Sequence, residues 1–147
     1  MSLTVDIIKR LQGFTLNVSF TAEAGVTALL GASGSGKSMT LRCIAGVERP
    51  DEGSIVLDGR VLYDSKAKID LPPQARKVGY LFQRYALFPN MTVLQNIDAG
   101  LSLVRDARVR KAKRESLISR FHLSGLEERL PRELSGGQMQ RVALCRM

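Results

Sequence analysis

Eight consecutive residues, GASGSGKS at 31–38, carry the clearest chemistry in this chain of 147 residues. They fit the pattern G-x-x-x-x-G-K-[ST], a loop that turns its backbone N–H groups inward onto a polyphosphate. Such a cradle needs backbone angles and a close approach that only glycine tolerates without strain, which accounts for Gly31, Gly34 and Gly36. Lys37 supplies a compact positive charge for the β- and γ-phosphates, and Ser38 a hydroxyl for Mg2+. The flanks suit this reading. Residues 26–30 (VTALL) read as a buried strand, and 39–45 (MTLRCIA) as a helix whose N-terminal dipole faces the phosphates. A Gly/Ser-rich linker that happens to contain lysine would lack both flanks.

A second helix start lies near the other end. LSGGQ at 134–138 runs directly into MQRVALC at 139–145, where Val142 and Cys145 share one helical face. Ser135 is a candidate N-cap, and Gly136 and Gly137 leave the first-turn N–H groups sterically open, a second place for an anion. By itself this tetrad is a weak signal. Behind a phosphate loop it is a strong one.

With these motifs in this order the chain resembles the ATP-binding cassette ATPases. The residues that carry the likeness are GASGSGKS at 31–38, Gln83 within YLFQRYALFP, and LSGGQMQRVAL at 134–144. The stretches GRVLYDSKAKIDLPPQARKVGYLFQ and LFPNMTVLQNI narrow it to the ATPase subunits of molybdate/tungstate or sulfate importers. The resemblance implies an α/β fold of the P-loop NTPase type. It comprises a nucleotide-binding lobe over 1–87, with the phosphate loop and the Gln loop, and a helical lobe over 88–147 that ends in the signature helix. It also implies a mostly parallel central sheet, and ATP with Mg2+ as cofactors. The nucleotide set would be Ser33, Gly34, Ser35, Gly36, Lys37, Ser38 and Met39 on one lobe, with Ser135, Gly136, Gly137 and Gln138 on the other. Lys37 and Gln83 would be the catalytic pair, Ser38 and Gln83 the metal ligands, and Ser33 would touch the γ-phosphate. Met39 stands where many relatives carry a hydroxyl residue for the α-phosphate.

The same likeness implies a head-to-tail homodimer in which the signature of one subunit caps the γ-phosphate held by the other. Transmembrane permease subunits would turn closure into transport, at the cytoplasmic face of the membrane, of an oxyanion such as molybdate. A soluble cassette ATPase of DNA repair or chromosome maintenance is the alternative. The interval from Gln83 to Leu134 holds no heptads and no cysteine pairs, which favours the importer. In the family a hydrophobic strand ending in Asp-Glu follows the signature helix, and a histidine follows that. This sequence has no such strand: Asp51-Glu52 lies between Arg49-Pro50 and Gly53 and reads as a turn, while His122, the only histidine, precedes the signature. On the resemblance the sequence is the N-terminal part of a cassette, its sheet short of the middle strands, and by itself inactive in turnover.

Composition is compatible. Apolar residues make up 44% of the chain, and no apolar run approaches the roughly 18 residues of a membrane span. No basic, then apolar, leader pattern opens the sequence. Cys43 and Cys145 form no metal or disulfide spacing and read as small hydrophobes of a reducing cytosol. The net charge is +8, much of it at Arg105, Arg108, Arg110, Lys111, Lys113, Arg114 and Arg120. The reading we favour for this run is a solvated helix face, an anionic membrane surface being the other. No aromatic residues interleave with the charges, so no nucleic-acid partner is expected.

Period-two alternation predicts strands at 3–8 and 14–20 around a turn at 11–13, a hairpin at 54–58 and 60–63, and a short strand at 77–82 that delivers Gln83. Helical spacing predicts 37–46, 92–98, 107–121, 123–129 and 136–147. Phe14 could stack on adenine but reads as core, and Arg141 as a support of the signature helix. Residues 85–89 read either as a face for the permease or as local packing.

Overall fold

The structure is a computed structural model that describes residues 2–147. The chain forms two compact units, which divide between Tyr80 and Leu81.

The first unit is built on β1 (Leu3–Leu11) and β2 (Phe14–Ala22), paired antiparallel from Leu3 opposite Ala22 to Leu11 opposite Phe14. Alternation fixes the register: Val5 and Ile7 of β1 and Leu16 of β2 are buried, while Thr4, Asp6, Thr15 and Asn17 between them face out. β3 (Glu52–Leu57) joins the other edge of β1, and β4 (Arg60–Asp64) and the two-residue β5 (Ile69–Asp70) follow, giving the order β2-β1-β3-β4-β5. Every pairing is antiparallel, so the expected parallel sheet is not what these residues form.

One face of the sheet is covered by α1 (Lys37–Ala45), which lays Cys43 and Ile44 on Val5, Ile7, Ile55, Leu62 and Tyr63. The Tyr63 hydroxyl donates to Pro50 O at 2.8 Å, which satisfies a buried polar tip. Beyond β5 a single turn, α2 (Pro73–Arg76), brings Arg76 into the core, 1% exposed.

Two expected strands do not form. Residues 26–30 and 77–82 belong to no strand among the described residues, and Val26 and Leu30 are 103% and 91% exposed. An apolar run becomes a strand only when a neighbour takes up its N–H and C=O groups. The strands that the resemblance places beside these two follow the signature in sequence. Asp51-Glu52, expected as a turn, begins β3 at Glu52. Asp51 accepts from Arg10 N at 2.6 Å, which holds its carboxyl below the usual range, and also pairs with Lys9, while Glu52 pairs with Arg10. Both carboxylates are thus engaged in tying β3 to β1.

The second unit is helical. α3 (Val93–Gly100) starts at a capping box: Thr92 Oγ1 accepts from Gln95 N, and Gln95 Oε1 accepts from Thr92 N at 2.8 Å. α4 (Ala107–Arg120) is capped by Asp106, and α5 (Gly136–Arg146) carries the signature at its start. Val93, Ile97, Ile118, Leu123, Leu134, Val142 and Cys145 form the core. The expected helix at 123–129 is instead a run of turns. His122 and Gly125 lie at φ 51° and 82°, and the carbonyls of Arg129 and Glu127 accept from Val93 N and Leu94 N, the unpaired first-turn donors of α3. Buried Asn96 bridges α3 to the preceding segment, its Oδ1 accepting from Phe88 N and its Nδ2 donating to Phe88 O, Met91 O and Thr92 O.

Cys43 and Cys145 are buried, one in each core, and desolvation pushes both thiols from 9.0 up to about 11. In the unfolded chain they ionise near the lower value. Their contribution to stability is therefore intact below about pH 9 and is lost as pH rises towards 11. We expect native protein to resist a thiol reagent at neutral pH and to react at both positions once unfolded. Denaturation midpoints should fall more between pH 9 and 11 than those of the Cys43→Ala/Cys145→Ala variant.

Candidate nucleotide site

The phosphate loop closes on itself before it enters α1. Ser35 N donates to Ala32 O at 3.2 Å, and Gly36 stands at the N-cap in the left-handed region, φ 89°, which a side chain would resist. A Cβ at Gly36 would also lie 2.6 Å from Leu16 Cδ1 and 3.3 Å from the Phe14 ring, so β2 presses directly on the loop. The first intrahelical bond is Thr40 N to Gly36 O at 2.8 Å, and no side chain caps the helix. The N–H groups of Lys37, Ser38 and Met39 therefore have no intrahelical acceptor and carry the positive end of the helix dipole.

Lys37 Nζ donates to Gly31 O and Ala32 O, each at 2.7 Å, and lies 3.3 Å from Ser35 Oγ. The loop thus wraps the ammonium, and Gly31, Ser35 and Lys37 line a hollow of about 210 Å³ with Leu16 and Val18 of β2. Ser33, Gly34 and Ser38 are exposed. The Ser38 hydroxyl, on the first turn beside Lys37, offers one oxygen to a cation. Among the described residues no group of three His, Cys, Asp or Glu could hold a metal. Mg2+ suits such a site, because it keeps its waters and takes most other ligands from substrate phosphates. The Met39 side chain packs on the sheet core, so only its backbone N–H is available to a phosphate.

Phe14 departs from expectation. It is 40% exposed at the tip of the β1–β2 hairpin against the loop, and Leu16, two positions on, takes the buried place. Thr40, whose buried hydroxyl donates to Gly36 O at 3.1 Å, was not singled out in the sequence and pins the helix start.

In the second unit Ser135 caps α5. Its Oγ accepts from Gln138 N at 3.3 Å, and Gln138 Oε1 accepts from Ser135 N at 2.8 Å. Gly136 and Gly137 are exposed, and a Cβ on either would meet nothing within 4 Å. No packing among the described residues requires glycine there; what the two glycines leave is open access to the first-turn N–H groups. Leu134, 8% exposed, anchors the approach to the cap. Arg141 donates to Phe121 O and His122 O, tying α5 to the end of α4 through carbonyls, and His122 itself is exposed. Gln83 is exposed in a turn of this unit, followed by Tyr85 and Ala86 at positive φ. Phe88, 45% exposed, lies under the Arg146 guanidinium at 4.9 Å.

A glycine-rich loop opening a helix, with lysine at its centre and a second serine-capped helix start further on, defines a cassette-type nucleotide-binding protein. The chain belongs to the ABC transporter family, whose model matches residues 15–147. It is 46% identical over 144 residues to the molybdenum import ATP-binding protein ModC of Paramagnetospirillum magneticum, covering 98% of this chain and 39% of that protein. It is 43% identical over 148 residues to the sulfate/thiosulfate import ATP-binding protein CysA of Mycobacterium tuberculosis, covering 98% and 40%. The chain thus spans about two-fifths of the length of these curated relatives. Among solved structures it resembles the ATP-binding cassette MJ0796 in a dimeric post-hydrolysis state bound to ADP and Pi. That match has 27% identity and a TM-score of 0.75 and covers 99% of this chain and 68% of that one.

Proposed function

We propose that the chain is the ATP-binding, energy-coupling part of an importer, with ATP hydrolysis driving uptake of an oxyanion such as molybdate. The observation that carries the reading is the phosphate loop, with its uncapped helix start and Lys37 at the centre. A triphosphate would exchange with the Gly31 and Ala32 carbonyls for the lysine ammonium. It would gather the N–H groups of residues 34–39, with Ser33 at the γ-phosphate and Ser38 on Mg2+. Phe14, exposed beside Gly36, would stack on the base. Gln83 would orient the attacking water and touch the metal. Molybdate is supported by the relatives named for molybdenum import, one of them 46% identical over 98% of this chain.

The open faces of Gly136 and Gly137 suit the γ-phosphate of a second copy, so two chains would sandwich two ATP molecules and separate on hydrolysis. The dimeric cassette of similar fold supports this arrangement. No helix among the described residues is long and apolar enough to cross a membrane. Transmembrane permease subunits would turn closure into transport. We place the protein at the cytoplasmic face, with exposed Phe88 in the permease contact.

The test is Gly137→Asp in the full-length protein. The fold has room for the side chain, so thermal stability should hold, while the new carboxylate would lie beside the γ-phosphate. Expected is loss of Mg-ATP-dependent dimerisation on a sizing column with ATP binding retained. Dimerisation equal to that of the unmodified protein would defeat the sandwich.

A further inference from the structure

Helix α4 is held to its unit by little. Ile118 is its one buried residue, with Arg110, Arg114 and Leu117 half-buried beside it. Two of its cations have partners: Arg114 bonds Asp98 at 2.8 Å, and Lys111 lies 3.9 Å from Glu115. Arg108, Lys113 and Arg120, with Arg105 just before the helix, are in no ion pair among the described residues.

Val109, Lys113, Ser116 and Arg120 recur at spacings of four, three and four and so share one face. That face borders a groove of about 390 Å³ in which Lys113, Ser116 and Arg120 stand over Leu101 and Leu117. At the entrance to the helix Leu103 is 92% exposed, and Val109, on the first turn, is 45% exposed. Cations clustered on one exposed helix, with exposed aliphatic side chains at its start, are a set that an anionic lipid surface takes up by charge attraction.

We propose that α4 and the turn before it dock directly on an anionic lipid surface. Leu103 and Val109 enter the apolar edge, and Lys113 and Arg120 hold lipid phosphates over the groove. Nucleic acid is less well matched, because no aromatic residue lies between 101 and 120 to stack on a base and aliphatic groups gain nothing from a phosphate backbone.

The full-length protein is sedimented with protein-free vesicles of phosphatidylcholine, with and without phosphatidylglycerol. Neither a permease nor nucleotide is present, so the outcome is independent of the importer reading. We expect binding only to the anionic vesicles, weakening as salt screens the surface. Lys113→Glu/Arg120→Glu should lower the partition roughly 25-fold or more, at about fivefold for each cation lost near the surface. Leu103→Ser should weaken binding at every salt concentration. The control is Lys66→Glu/Lys68→Glu, an equal charge change at exposed positions of the first unit. Absence of binding to anionic vesicles, an equal loss in the control, or binding to duplex RNA or DNA at salt concentrations where vesicles are released would each overturn the proposal.

Discussion

Lys37→Ala is expected to cut ATP hydrolysis by the full-length protein about 100- to 1,000-fold, the scale on which loss of one preorganised donor to a developing charge is felt. The side chain sits among the Gly31, Ala32 and Ser35 oxygens, at 2.7, 2.7 and 3.3 Å. Those bonds hold the ammonium where the β- and γ-phosphates would meet it. They contribute little to the fold, because the loop oxygens stay in water when the ammonium is gone; without nucleotide the variant should melt within about 1 kcal/mol of the parent. With Mg-ATP the parent should gain stability as ligand is added and the variant should not. Two measurements settle it, steady-state phosphate release and a melting curve with and without Mg-ATP. A variant that still shifts with Mg-ATP like the parent would show that Lys37 is not the phosphate ligand.

What could be read from the sequence divides along a physical line. Local signals were legible. Glycine spacing and a lysine announced the phosphate loop, Ser135 announced a helix cap, and period-two apolar residues announced β1 and β2 to within a few residues. Each depends on neighbours a few positions away. What failed depends on distant partners. Residues 26–30 and 77–82 have strand composition, but a strand exists only within a ladder, and neither run belongs to a strand among the described residues. Residues 123–129 have helical spacing, yet their carbonyls are taken by Val93 N and Leu94 N, a long-range demand that outweighs propensity. Phe14 read as core because the stretch around it, RLQGF at 10–14, matches the resemblance's adenine-stacking segment poorly, and its place at the hairpin tip, 40% exposed, reversed that. Thr92 and Gln95 form a capping box that spacing alone could have disclosed. Nothing in the sequence marked Arg76 or Asn96. A buried guanidinium or amide is recognised only by the carbonyls around it.

Arg76 carries the second large expectation. Its side chain is fully buried, and its Nη1 donates to Cys43 O at 2.7 Å and Ile44 O at 3.0 Å, the last carbonyls of α1. Nε donates to Leu71 O at 2.7 Å, and Nη2 to Asp70 at 3.0 Å. The cation thus sits at the negative end of α1, while the phosphate loop occupies the positive end. Asp70 is 38% exposed, so the ion pair itself contributes little; the Ile44 and Leu71 carbonyls are what would be stranded, since Cys43 O also accepts from Gly46 N at 3.2 Å. Arg76→Met keeps the stem and removes every donor, and should destabilise the protein by about 2–4 kcal/mol, at about 1–3 kcal/mol for each buried acceptor left without a donor. Arg76→Lys should recover part of this, since an ammonium can reach one carbonyl but cannot span all four acceptors. Gly46 belongs to the same arrangement. It turns the chain out of α1 at φ 78°, and a Cβ there would lie 2.5 Å from Arg76 Nε. Gly46→Ala should therefore displace the guanidinium, and the double variant should lose less than the sum of the single losses. Because α1 joins both ends, Mg-ATP affinity should fall in Arg76→Met even at temperatures where it is folded. Denaturant midpoints and ATP titrations of the four proteins test this. A loss below about 1 kcal/mol for Arg76→Met, or full additivity with Gly46→Ala, would mean that the end of α1 is satisfied without Arg76.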